Sequence, residues 1–183
     1  MACIVVYESH YGHTEQYARW LAEDLGCRAL PRRQVRPADL AGCDTVLYGG
    51  GLYAGGVAGA RFLDGRLLGK RLALFTCGLA DPANPENAAA LARAAERALP
   101  PPLRAKTAVF HLQGGIDYPR LRRTHRAMMA MLRATLANRD PASLREEDRE
   151  LLRTYGQVVD VTDRAALAPL LAWARGERDA ASA

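Results

Sequence analysis

The chain has 183 residues, of which 49% are hydrophobic and 25% are charged, and its formal net charge at pH 7 is +5. This length and balance suit one globular domain with a substantial core, and no apolar run approaches the ~20 residues that span a bilayer. Four scattered cysteines without a CxxC spacing argue against a zinc site and against a disulfide framework. No signal-peptide pattern precedes the first apolar run, so we expect a cytoplasmic protein.

From the first residues onward, short apolar runs alternate with helical patterns, which is typical of a parallel sheet covered by helices on both faces. Strands are predicted at residues 2–7, 28–30 or 34–35, 45–48, 71–76 and 107–112. Helices are predicted at residues 14–25, 58–68 and 85–99, and a glycine-rich loop at residues 49–56. The predicted fold class is therefore α/β, with a doubly wound five-stranded parallel sheet in the order 2-1-3-4-5.

Residues 113–157 interrupt the alternation and are predicted to form a helical insertion after the fifth strand, with helices at 118–138 and 143–155. The chain then returns through a short extended piece to a final helix, which Thr162 and Asp163 can cap. We expect one domain over residues 1–176 that carries this insertion, and a disordered tail at residues 177–183.

The turn between the first strand and the first helix combines small and polar residues. Ser9, Gly12 and Thr14 offer two hydroxyl groups and an adaptable backbone at a helix N-terminus, where the partial positive charge favours an anion. The turn is interpreted as a phosphate cradle, with an ordinary capped turn as the alternative. His10 and His13 are three residues apart without a third ligand, so no metal site is predicted. The predicted phosphate-binding residues are Ser9, His10, Tyr11, Gly12, His13 and Thr14.

Two further segments follow the third and fourth strands, at the edge of the sheet where ligands of open α/β proteins bind. Glycines in the first segment let the backbone approach a flat ring, and Tyr53 can stack on that ring; a turn with a core tyrosine is the alternative. Cys77 is either a redox participant or a small buried hydrophobe. The predicted ring-binding residues are Gly50, Gly51, Leu52, Tyr53, Ala54 and Gly55 on one side and Cys77, Gly78 and Leu79 on the other.

Together these features resemble the flavodoxin-domain family, and within it the branch of menaquinone-dependent protoporphyrinogen oxidases. The resemblance rests on residues 9–14, on the glycine run at 49–55, and on residues 114–119 followed by a basic, methionine-rich helix. It implies FMN as the cofactor and redox chemistry at the flavin edge. Tyr11 departs from the family pattern, which usually has a smaller hydroxyl residue at that position.

Three classes of function stay open. An enzyme would dehydrogenate a small redox substrate, such as a porphyrinogen, and pass the electrons to a quinone. A carrier would shuttle electrons to an acidic redox protein. A binding module would have kept the fold and lost FMN. No hydrolytic triad or paired carboxylates occur, so no catalytic residue is assigned, and no aromatic-interleaved basic stretch indicates nucleic acid.

The insertion is the segment expected to select a partner. No acidic residue occurs between Tyr118 and Arg139, and Leu121, His125, Met128, Leu132 and Leu136 form one stripe on a helical projection. A basic amphipathic helix suits an acidic partner or a peripheral contact of residues 118–139 with an anionic membrane. In the alternative interpretation, the stripe packs on the sheet and the arginines are solvated or neutralised by Glu146, Glu147, Asp148 and Glu150.

Overall fold

A computed structural model describes residues 2–177 and has a parallel sheet of five strands at its centre. The strands are β1 (Cys3–Glu8), β2 (Arg28–Pro31), β3 (Thr45–Tyr53), β5 (Arg71–Gly78) and β6 (Thr107–Gln113), and the short β4 (Gly56–Val57) pairs antiparallel with β3. The sheet order is β2-β1-β3-β5-β6, and every neighbouring pair in it is parallel. The predicted fold class and strand order are confirmed.

Helices cover both faces of the sheet because successive strand residues point to opposite sides. One apolar cluster contains Val5 and Phe75 of the strands with Tyr17 and Leu170 of the helices, and all four are at most 1% exposed. The apolar cluster on the opposite face of the sheet includes Val6, Tyr48, Leu74, Phe62, Leu99 and Leu103. The helices are α1 (His13–Leu25), α2 (Pro37–Ala41), α3 (Pro85–Ala98), α4 (Pro101–Arg104), α5 (Arg123–Ala137), α6 (Glu146–Thr154) and α7 (Ala168–Ala174).

The prediction of a glycine-rich loop at residues 49–56 is wrong for most of its length. Gly49 pairs with Tyr7 on one side and Phe75 on the other, and β3 continues to Tyr53 before a short hairpin turn. A Cβ atom on Gly49 would lie 2.2 Å from the Phe75 ring. The glycines therefore serve close packing within a central strand, where pairing on both sides overrides their low strand propensity.

Gly50 provides a test of this strand assignment. We expect Gly50→Ala to lower the free energy of unfolding by about 1–3 kcal/mol, because the added Cβ would lie 2.3 Å from Val57 Cγ1 and 2.9 Å from the Ala58 carbonyl oxygen. Gly42→Ala is the matched control, since nothing lies within 4 Å of its added Cβ. Urea denaturation measures both variants, and equal stabilities would contradict the close packing around Gly50.

Two further boundaries differ from the prediction. Residues 58–68 form no α-helix but two single 3₁₀ turns, Ala60–Phe62 and Gly65–Leu67, and the Asp64 side chain accepts a hydrogen bond from Arg66 N at the start of the second. The Asp64 cap lies between the two 3₁₀ turns and separates the first turn from the second. Cys77 and Gly78 were predicted in a loop, yet both belong to β5 because they pair with the end of β6.

The described residues divide into two compact units, residues 2–114 with 162–177 and residues 115–161. Within the second unit, β7 (Gly115–Asp117) and β8 (Val158–Asp160) pair antiparallel, and α5 and α6 lie between them in the chain. Helix α5 begins at Arg123 and not at residue 118, because residues 117–121 form turns that are held by backbone hydrogen bonds.

The chain after the second unit begins with a capped turn. Asp163 accepts a hydrogen bond from Ala165 N at 2.8 Å, as its predicted capping role requires, and a 3₁₀ turn leads into α7. Residues 178–183 of the predicted tail lie outside the described residues. None of the helices between residues 2 and 177 is long and apolar enough to cross a membrane.

Candidate functional site

The turn between β1 and α1 lies at the carboxyl edge of the sheet. Ser9 Oγ accepts a hydrogen bond from Gly12 N at 3.1 Å, and Gly12 caps α1 with a φ of +103°. The first backbone bond of α1 runs from Gln16 N to Gly12 O at 2.8 Å. The N–H groups of the preceding first turn therefore have no partner within the helix and face an anion-binding position.

Thr14 lies in this first helical turn and is 2% exposed, so its side chain is enclosed by the surrounding structure. The nearby carboxylates are compensated by arginines. Glu8 is 2.8 Å from Arg32, and Glu15 is 2.6 Å from Arg19. These ion pairs reduce the repulsion that an incoming phosphate would meet at this end of the sheet.

An aromatic cluster brings the first predicted loop beside the second predicted segment. The ring centroid of Tyr53 lies 4.8 Å from that of His10 and 5.7 Å from that of Tyr11. His10 N donates a hydrogen bond to the Tyr53 hydroxyl at 3.4 Å. A Cβ on Gly51 would lie 2.6 Å from that hydroxyl oxygen, so the ring of Tyr53 folds back over Gly51.

The predicted residues at the end of β5 pack against the second predicted segment. A Cβ on Gly78 would lie 3.0 Å from Leu52 Cβ, so Leu52 and Gly78 pack directly together. Gly114 N donates a hydrogen bond to Gly78 O at 2.7 Å, and Gln113 Nε2 donates to Leu79 O at 3.2 Å. The structure thus brings the three predicted segments to one edge.

Gln113 and Gly114 are contributors that the sequence reasoning did not assign to the site. A Cβ on Gly114 would lie 2.5 Å from Cys77 Sγ and 3.3 Å from His13 Cβ. Cys77 is 5% exposed and belongs to the apolar cluster beneath the site. The glycine pair that opens the insertion was the available signal, because a glycine after a strand often marks close backbone approach.

The hairpin turn at Ala54 and Gly55 has a left-handed backbone conformation. Both residues have positive φ angles, 50° and 72°. Arg97 of α3 donates a hydrogen bond to Gly55 O at 2.6 Å and so anchors the turn. Arg97 is a supporting residue that no local sequence pattern indicates.

Burial is the main cause of the pKa shifts of two titratable groups around the site, Tyr7 and His111. Burial, with the neighbouring Glu15 carboxylate, raises the pKa of Tyr7. Burial lowers the pKa of His111, which contacts the Thr76 hydroxyl through Nδ1 at 2.7 Å. Among residues 2–177, no three His, Cys, Asp or Glu side chains are grouped so that they could hold a metal ion.

The strand order places this edge at the topological switch point, and the molecule is thereby a doubly wound α/β protein. The family model of the flavodoxin domain matches residues 4–142, so the chain belongs to the flavodoxin-domain family. The cofactor of that family is FMN, and its members transfer electrons to redox partners. The hydroxyl groups, the N–H groups of the first helical turn and the closely approached glycines fit such a phosphate-bearing planar group.

Solved structures with the same fold are only distantly similar in sequence. The two-electron reduced flavodoxin of Megasphaera elsdenii is 17% identical, with 61% of this chain and 85% of that chain covered and a TM-score of 0.44. A flavodoxin, WrbA-like protein from Agrobacterium tumefaciens is 21% identical, with 59% and 81% covered and a TM-score of 0.39. Oxidised flavodoxin 2 from Bacillus cereus is 16% identical, with 93% and 99% covered and a TM-score of 0.40. No curated protein matches the chain.

Proposed function

We propose that this chain is an FMN-dependent oxidoreductase that dehydrogenates a porphyrinogen-like substrate and passes the electrons to a membrane quinone. The proposal thus places the chain with the menaquinone-dependent protoporphyrinogen oxidases. The observation that carries it is the exposed, basic and methionine-rich helix α5, which stands in the second compact unit of a flavodoxin-domain protein. A carrier between two redox proteins needs no such element.

In this proposal the cofactor occupies the carboxyl edge of the sheet. Ser9, Thr14 and the first-turn N–H groups of α1 bind the phosphate. The backbone of residues 50–53 and of residues 77–79 lines the two sides of the ring, and Tyr53 covers it. FMN accepts electrons from one partner and donates them to the next, and the protein orients it and excludes water.

Helix α5 is exposed over most of its surface. Met131 is 72% exposed, Leu132 39% and Met128 36%, and Leu136 is the buried residue of the helix. Long apolar side chains in such a position are costly in water and favourable in the boundary region of a bilayer. The stripe foreseen from the sequence is thus buried near its ends, at Leu121 and Leu136, and open in the middle.

Three of the acidic residues of α6 named above form ion pairs with arginines of α6 or of its cap. Glu146, Asp148 and Glu150 pair with Arg149, Arg145 and Arg153, which belong to α6 or cap it. Within the second unit, the guanidinium of Arg126 donates to the Pro119 carbonyl, and that of Arg133 stacks on the Tyr155 ring. These contacts leave the arginines of α5 charged.

Exposed apolar side chains and basic side chains on one helix are complementary to an anionic lipid surface. Each basic residue near such a surface contributes about 1 kcal/mol of binding. Contact of α5 with the membrane brings the protein to the phase in which a lipid-soluble quinone dissolves. A porphyrinogen carries carboxylates that arginines also attract. Both substrates of the proposed reaction therefore suit this surface.

The test uses FMN-loaded protein with anionic vesicles that contain a menaquinone, and it measures vesicle sedimentation and the rate of porphyrinogen oxidation. We expect turnover by the unmodified protein. Arg122→Glu with Arg126→Glu should weaken vesicle binding by about 30-fold or more, because two basic contacts are lost. The helix should persist, since acidic residues are favourable in a first turn.

The control is Arg93→Glu with Lys106→Glu, which makes the same change in net charge at exposed positions outside α5. We expect this control to bind vesicles nearly as well as the unmodified protein. Equal losses in both variants would show that only overall charge matters and would contradict a role of α5. FMN-loaded protein that reduces redox proteins but never turns over porphyrinogen or quinone would be a carrier.

A further inference from the structure

Three of the four cysteines meet at the amino edge of the sheet, opposite the edge that carries the phosphate loop. Cys3, Cys27 and Cys43 line one surface cavity of about 240 Å³, and each is partly buried. Cys3 and Ser9 are six positions apart along β1 and its continuation, a distance of about 20 Å at the usual rise of a strand. This cluster is therefore independent of the flavin site and of the proposed function.

The register of β1 and β2 places two of these cysteines side by side. Ile4 pairs with Arg28 in the parallel ladder, so the preceding residues, Cys3 and Cys27, are lateral neighbours. Neighbouring strands are about 4.8 Å apart, which lies within the range of about 4.4–6.8 Å that a disulfide requires between Cα atoms. Both cysteine side chains line the cavity described above.

Cys43 is held differently from this pair. Its sulfur donates a hydrogen bond to the carbonyl oxygen of Asp39 at 3.2 Å. The cavity that these residues share leaves the cluster accessible to a small molecule from solvent. We propose that Cys3 and Cys27 form a reversible dithiol–disulfide site, which small disulfides such as oxidised glutathione oxidise.

The small disulfide is the oxidant in this thiol–disulfide exchange. The Cys3 sulfur attacks one sulfur of the small disulfide, forms a mixed disulfide and releases one thiol. The Cys27 sulfur then attacks the Cys3 sulfur, forms the Cys3–Cys27 bond and releases the second thiol. The protein loses two electrons and two protons, and the small disulfide takes up both as its two thiols form.

The environment of the pair assigns the order of the two attacks. Burial, together with the neighbouring Cys3 thiol, raises the pKa of Cys27 to about 12. Cys27 therefore stays protonated near neutral pH, which leaves Cys3 as the first nucleophile. Because the second step needs the Cys27 thiolate, we expect formation of the internal bond to accelerate as the pH rises.

The experiment treats the full chain, purified with added FMN, with oxidised glutathione and maps the products by intact mass and peptide mass spectrometry. We expect a Cys3–Cys27 bond in the unmodified protein and in Cys43→Ser. Cys27→Ser should stop at a glutathione adduct on Cys3, and Cys3→Ser should form no internal bond. The melting temperature of the oxidised protein should rise by several degrees, because the bond closes a loop of the unfolded chain.

The mass-spectrometric result for the unmodified protein decides the test, so the test does not depend on how well the variants fold. A lasting glutathione adduct without an internal bond would overturn the proposal. A bond that includes Cys43, or no reaction at Cys3 and Cys27 at all, would also overturn it. FMN binding and turnover are measured separately, so their loss would not be mistaken for the failure of this site.

Discussion

Replacing Thr14 with valine is expected to weaken FMN binding by about 10- to 100-fold, which corresponds to the loss of one hydrogen bond to a charged phosphate. Thr14 is 2% exposed in the first turn of α1, so valine, which has the same shape, keeps the packing and removes only the hydroxyl group. Quenching of FMN fluorescence during titration of the apo-protein measures the change.

Thr45→Val is the matched control for this experiment. Thr45 is also a fully buried threonine, but it lies at the start of β3, at the amino edge of the sheet. We expect its substitution to leave FMN affinity unchanged, although it removes a buried hydroxyl group. Equal affinities in the Thr14 variant and the unmodified protein would sink the assignment of this turn as the phosphate site. Failure of the unmodified protein to bind FMN would identify a chain that kept the fold without its cofactor.

Replacing Tyr17 with phenylalanine is expected to lower the free energy of unfolding by about 2 kcal/mol, because it removes the hydrogen-bond partner of two backbone groups. The Tyr17 hydroxyl donates to Gln113 O at 2.6 Å and accepts from Asp163 N at 3.0 Å. These two residues stand just before the chain leaves the first compact unit and just after it returns. Tyr17 is fully buried, so water cannot replace the lost hydroxyl group easily.

Tyr118→Phe is the control for the loss of a tyrosine hydroxyl. The Tyr118 hydroxyl is buried without a hydrogen-bond partner among the described residues. Removing an unpaired buried polar atom should be neutral or slightly stabilising. Urea denaturation of the two variants gives the comparison. Equal stabilities would mean that the bridge made by Tyr17 contributes nothing, and the two chain crossings would then be held by other contacts.

Local patterns were sufficient for the strands that build the sheet. The apolar runs that predicted β1 and β5 are buried on both faces, and the order of the predicted strands along the chain allowed the doubly wound topology to be inferred. The turn at residues 9–12 was also predictable, because small polar residues before a helix have a local conformational preference. Both inferences rest on interactions between residues that are near in sequence.

Elsewhere tertiary contacts overrode the local preference. The glycines from Gly49 to Gly51 favour a loop in isolation, but hydrogen bonds from strands on both sides hold them in β3. The helical pattern at residues 58–68 failed because glycines and the Asp64 cap break it into short turns. The conformation of the glycine segment is thus decided by strands distant in the chain, and that of residues 58–68 by a side-chain cap that competes with helix formation.

The chain's sequence by itself determined the α/β class, the strand order, the FMN-binding family and the polar turn before the first helix. Periodicity and a helix N-terminus are local properties, so they can be read from neighbouring residues. Only the tertiary structure decided that Tyr53 folds over Gly51 beside His10, that Tyr17 joins residues 113 and 163, and that Cys3 and Cys27 are neighbours. These contacts join segments far apart in the chain, and the register and packing that create them are set when the whole domain closes its core.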